Sequence, residues 1–163
     1  MTDNHMITTI YDNWKGYQEK VAAAIAPLTA EQLTLRAAPH QWSVGRLVEH
    51  MVGARVWWII ERLGEDGAAV QSLKDWDRED EVLPLTAAEL VAGLDLTWQM
   101  IANALARWSA TDMEQVFTYT HYNGEQQQFD RAWVIYHLLE HDLHHGGEVS
   151  LTLGAHGLEA PDI

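Results

Sequence analysis

Apolar residues return at helical spacing in four stretches of the chain, and polar residues fill the positions between them. In the first, over residues 6–26, Ile7, Ile10, Tyr11, Trp14, Tyr17, Val21 and Ile25 trace one face, and Pro27 stops the helix. "PLTAEQL" follows as a turn and a short helical start, with Thr29 as N-cap and Gln32 three residues on. The second stretch is "WSVGRLVEHMVGARVWWIIERLG". Ser43 is its N-cap, Leu47, Met51, Ala54, Trp58 and Leu63 follow its inner face, and Gly64 stands where a C-terminal glycine is preferred. His50 lies between Leu47 and Ala54, on the core side of this helix. The third, "LTAAELVAGLDLTWQMIANALARW", opens with a capping box from Thr86 to Glu89 and buries Leu90, Leu94, Trp98, Ile101, Leu105 and Trp108. The fourth starts near Asp130 and runs "RAWVIYHLLEHDLHHGGEVSLTLG" to Gly154. Gly146 and Gly147 each cost it about 1 kcal/mol relative to alanine. A glycine pair retained there predicts a close approach or a bend.

Two stretches break the helical period. Residues 65–85, "EDGAAVQSLKDWDREDEVLPL", read as a long acidic loop with an exposed Trp76, either a functional lid or interface segment or a solvated connector. In "VFTYTHYNGEQQQFD" apolar and polar residues alternate around Asn123-Gly124, which predicts a hairpin with strands at 116–122 and 125–129. Thr111 and Asp112 mark a turn before it. The expected fold is all-α, a four-helix bundle with a small hairpin excursion between the third and fourth helices, in one domain over 1–163. The pattern leaves up-down-up-down and up-down-down-up equally open.

Composition narrows the function classes. With 47% hydrophobic residues in 163, the chain can bury a sizeable core, and eight Trp against two Phe put large flat side chains into that core or a pocket. The absence of cysteine excludes disulfides, a thiolate nucleophile and zinc–thiolate sites. A net charge of −14 and no basic stripe argue against nucleic acid as a partner. No run of 18 apolar residues predicts a membrane span, and no secretory leader is apparent, so a cytoplasmic location and a small-molecule substrate are expected.

The candidate chemistry lies in histidine. Four of the nine histidines fall between His137 and His145. His141 and His145 stand four apart, almost above one another on one helix face, a spacing at which two imidazoles can hold one metal. Asp142 follows His141 where the zinc-protease pattern needs Glu, so that pattern is absent. His50 is the best third ligand, although a lone core-side histidine is also a common packing residue. Three imidazoles leave coordination positions open, as catalytic sites do. Neutral imidazole suits zinc, nickel, iron or copper. His137 continues the stripe as a substitute ligand or a support, and spacing does not exclude His144. His5, His40, His121 and His156 read as surface residues, with His121 able to overhang a pocket. Glu140, Glu148, His137, Tyr136 and Arg55 are candidate auxiliaries, and Trp57 and Trp58 line either a pocket or the core. Competition by imidazole protonation predicts that metal affinity falls toward pH 6.

"WSVGRLVEHMVGARVWW" and "HLLEHDLHHGGEVSLTLGAHGL" resemble the DinB-like superfamily over nearly the whole chain. The matching positions are His50, then His141 and His145, then "GGE" where the family usually has Arg-Gly-Gln, so that Glu148 replaces an amide. The resemblance implies an up-down-down-up bundle, a divalent metal (zinc, nickel, iron or manganese) on His50, His141 and His145, and frequent homodimers. It further implies a thiol-dependent transferase, served by a low-molecular-weight thiol, or a metal-assisted hydrolase. The alternative is a non-catalytic metal-binding or dimerisation module in a stress response.

Overall fold

The computed structural model describes residues 5–77, 83–121 and 123–161, with side chains from residue 9 onward. Its long helices are α1 (His5–Ile25), α3 (Val44–Val56), α4 (Ala87–Arg107) and α6 (Arg131–Ala155), with short turns α2 (Ala30–Leu33) and α5 (Ala110–Met113). Local signals set their ends. Thr29 and Thr86 form capping boxes with Gln32 and Glu89, and Ser43 and Asp130 cap α3 and α6. Gly64 and Gly124 take positive φ, as a helix stop and a hairpin turn require. The hairpin pairs β1 (Val116–Thr120) with β2 (Gln126–Asp130), Phe117 opposite Phe129. The second strand thus begins one residue later than expected, and residue 122 of the expected first strand lies outside the described residues.

Contacts between helices fix their directions. Trp14 and Gln18 of α1 meet Trp98 and Asp95 of α4, so those two helices run oppositely. Trp14 and Tyr17 meet Asp142 and Gly146, so α1 and α6 run the same way. His50 meets His141 while Trp58 meets Trp133, so α3 opposes α6. The order is up-down-down-up. Gly146 is the glycine that permits close approach: a Cβ there would stand 2.2 Å from the Tyr17 hydroxyl, whereas one on Gly147 would meet nothing.

Two neighbouring parallel helices cannot be joined by a tight turn, because the chain must first return along their length. Residues 63–77 and 83–86 are the described parts of that return between α3 and α4. The expected solvated Trp76 is instead buried, its ring lying over Gly93 of α4. Apolar burial of this indole offsets part of the cost of ordering the segment. A 3-10 turn, Ala68–Leu73, buries Val70 and Leu73 on the same path. Before it, the helix begun at α3 widens into a π-helical turn, Trp57–Arg62.

The core departs from the pattern in places. Trp14, Val21 and Ile25 are buried as expected, but Ile10 is exposed. Trp98, Leu105 and Trp108 are half-buried edges of the α4 stripe. No helix among the described residues is long and apolar enough to cross a membrane.

Candidate metal centre

α3 and α6 pack as antiparallel neighbours, which brings residue 50 opposite residues 141 and 145. The three imidazoles converge, with ring centroids 4.4–4.8 Å apart. His50 Nε2 lies 2.9 Å from His141 Nε2, and one ligand atom from each ring falls within 4.8 Å of the others. Two nitrogens bound tetrahedrally to one zinc stand about 3.4 Å apart at ordinary Zn–N lengths. The three rings are therefore close enough together to be candidates for sharing one cation.

Hydrogen bonds orient two of the rings. His50 Nδ1 lies 2.7 Å from Asp77 Oδ1, and His145 Nδ1 lies 2.7 Å from Glu148 Oε2. An ionised carboxylate only accepts, so each Nδ1 carries the proton and each Nε2 keeps a lone pair for the centre. His141 differs, since its Nδ1 is buried without a hydrogen-bond partner. Burial first, and then the charges of His145, His50, His137 and Arg55, hold its pKa down to about 3. Burial also lowers His145, against the raising effect of its Glu148 hydrogen bond. Burial alone would raise Asp77, but His50 and then Arg46 keep it below the usual carboxylate range.

The His141 shift has a consequence for the metal-free protein. The unfolded chain takes up this proton near pH 6.5 and the folded chain only near pH 3. Between those values the unfolded state binds more protons, so stability falls as pH drops through that window, and above it this group contributes no slope. Urea midpoints with EDTA at pH 7.5 and 4.5 should differ more in the wild type than in His141→Leu; equal differences would show that His141 protonates freely when folded. Protons also compete less for His141 and His145 than for free imidazole.

Asp77 escapes a reading of the sequence, because nothing in "KDWDRED" separates it from its acidic neighbours. It reaches His50 because the crossover lies directly on α3 at Gly53, where a Cβ would stand 2.4 Å from the Asp77 Cβ. Arg46 holds the same stretch, donating to the Trp76 carbonyl at 3.1 Å and to Asp77 Oδ1 at 3.2 Å. Trp42, also unforeseen, sets its ring edge-on to His50 at 4.9 Å and stacks at 6.0 Å from His145. Its place just before the N-cap of α3 was the available signal.

The other candidates disperse. Arg55 is not at the site: it is fully buried and ion-paired with Asp142 in the core. Tyr136, Glu140 and His144 face solvent. His40 and His156 are exposed, His121 is half-buried against Tyr119, and the side chain of His5 lies outside those described. His137 stacks on Trp133 and stands 6.0 Å, ring to ring, from His141. It forms one wall of a cavity of about 400 Å³ that opens beside His50 and His141 and is faced by Trp57, Trp58 and Lys74. Larger grooves of about 530 and 600 Å³ lie elsewhere on the bundle, but neither is lined by the converging histidines.

Fold and site together define a class: an up-down-down-up helical bundle with a half-buried triad of histidines between its second and fourth long helices. The chain belongs to the DinB superfamily, whose family model matches residues 14–149. Among solved structures it is similar to a DinB-like protein from Bacillus cereus ATCC 10987, with a TM-score of 0.71 and 21% identity over 96% of this chain and 97% of that one. It is also similar to YfiT from Bacillus subtilis, described as a probable metal-dependent hydrolase with an unusual four-helix bundle topology. That likeness has a TM-score of 0.59 and 19% identity over 91% of this chain and 89% of the other. No curated protein matches the chain.

Proposed function

We propose that the protein is a metal-dependent enzyme that uses His50, His141 and His145 to hold one divalent cation and acts on a small molecule in the adjoining cavity. The observation that carries this reading is the pair of Nδ1–carboxylate hydrogen bonds, His50 to Asp77 and His145 to Glu148, which leave both Nε2 atoms unprotonated in rings that converge with His141. Packing alone gives no reason for histidines at three such positions, two of them backed by acids. The description of YfiT as a probable metal-dependent hydrolase agrees with it.

A divalent ion held by three imidazoles supplies Lewis acidity and lowers the pKa of a bound water or thiol, so that a nucleophile exists near neutral pH. The chain has no cysteine, so a thiol would come from a low-molecular-weight cosubstrate. Metal-assisted hydrolysis and thiol transfer are therefore the two reactions proposed. Asp77 and Glu148 fix ring orientation and raise the basicity of the ligands. His137, on the cavity wall and 3.8 Å from the nearest carboxylate, is placed to accept a proton there.

Metal analysis of untagged protein, followed by a screen of ester and amide hydrolysis and of thiol addition to electrophiles, tests the reading. About one equivalent of metal and turnover lost on chelation are expected. Protein that takes up no zinc, nickel, iron or manganese would overturn it. Asp77→Asn should weaken metal affinity by about 10–100-fold with little change in fold. An unchanged chelator titration in that variant would remove Asp77 from the site.

A further inference from the structure

The tryptophans that line the cavity beside the histidines stand on an unusual turn. The bond from Leu63 N–H to the Trp58 carbonyl, 3.1 Å, spans five residues instead of four, which marks the π-helical turn at Trp57–Arg62. Such turns are rare and gather at functional sites. Here the wider turn lets two consecutive residues, Trp57 and Trp58, both face the cavity, with their rings edge-to-face at 4.7 Å. The outer ring is braced: the Arg62 guanidinium lies 3.8 Å from the Trp57 centroid and 3.6 Å from that of Tyr119. Trp58 is held edge-on by His137 at 5.1 Å. These are fixed aromatic surfaces, suited to a flat apolar body.

Charge on the same cavity is sparse. Asp77 is committed to Arg46 and His50. Lys74 lines the cavity from the crossover and makes no ion pair among the described residues. In a chain of net charge −14, an anion is repelled over most of the surface, so attraction must come from a local cation.

We infer that Trp57, Trp58 and Lys74 form the recognition half of the site and select a planar, apolar molecule carrying a carboxylate, with the ring against the indoles and the carboxylate on the Lys74 ammonium. The inference rests on the proposed site for its catalytic meaning, but not for binding, since none of these three side chains belongs to the histidine triad.

Calorimetry with 1-naphthoate and its neutral isostere 1-naphthamide, on EDTA-treated and on zinc-loaded protein, tests it. Naphthoate should bind about fivefold more tightly than the amide in both states, the scale of one partly exposed ion pair. Lys74→Met should bring the two probes to parity and leave the amide unchanged, and Trp57→Leu should weaken both by about fivefold. A preference that survives Lys74→Met, or vanishes with the metal, would assign the carboxylate to another cation and overturn the inference. Equal weakening of both probes by Lys74→Met, or no binding of either, would overturn it as well. Failure of the histidine site would show instead as absent zinc uptake, with the metal-free arm still readable.

Discussion

His141→Ala is expected to reduce bound metal from about one equivalent to near zero. Of the three imidazoles it is the one whose second nitrogen has no partner, so its buried ring is held by packing and by the centre alone. Losing a group that merely orients a ligand costs about 10–100-fold in affinity, so losing the ligand itself should cost more than about 100-fold. His50→Ala and His145→Ala should follow. His144→Ala supplies the control, because His144 is 67% exposed and 3.9 Å from its nearest carboxylate, so its variant should retain the metal. Chelator competition on untagged protein measures the affinities, and circular dichroism should show helix content little changed. Full occupancy in any of the three would remove that residue from the centre.

Asp142→Ala should lower stability by about 3–5 kcal/mol, a large share of the 5–15 kcal/mol usual for a domain. The Arg55 guanidinium is fully buried and gathers all four long helices. It donates to Asp142 of α6 at 2.7 and 3.2 Å, to Gln18 of α1 at 2.8 Å, and to the Leu94 carbonyl and Thr97 hydroxyl of α4 at 3.2 Å each. The Trp14 indole N–H donates to the same Asp142 carboxylate at 2.7 Å. Removing Asp142 strands a buried cation, which is why the cost exceeds that of an ordinary hydrogen bond. The double variant Arg55→Met, Asp142→Leu should recover part of the loss, because no charge is then left buried, although the Trp14 indole N–H and the Gln18 side-chain carbonyl oxygen lose their partners. Urea denaturation reads both. A loss below about 1 kcal/mol in Asp142→Ala would mean that water reaches the pair. Since Asp142 follows His141 directly, this pair also anchors the stretch of α6 that carries the histidines.

Neither residue of that pair announced itself. Asp142 stood out only as the residue that breaks a protease motif, and Arg55 only as an auxiliary near the candidate ligands. Their chemistry depends on 87 residues of separation closing to one ion pair. Asp77 and Lys74 were hidden for the same reason, inside an acidic stretch with no periodicity. Trp76 was misplaced because local polarity argued for solvent, whereas the return path between two parallel helices pressed its ring onto α4.

By itself the chain determined what is local. Helical period, the capping residues Thr29, Ser43, Thr86 and Asp130, the Gly64 stop and the Asn123-Gly124 turn each act within about one turn of backbone. His141 and His145 share a face for that same reason. Tertiary structure decided everything that needs two distant segments: the antiparallel contact that sets His50 beside them, the crossover that delivers Asp77, the π-helical turn that aims Trp57 and Trp58 into one cavity, and the cation that ties four helices together. Those outcomes follow from packing energies summed over the whole core, which no window of neighbouring residues contains.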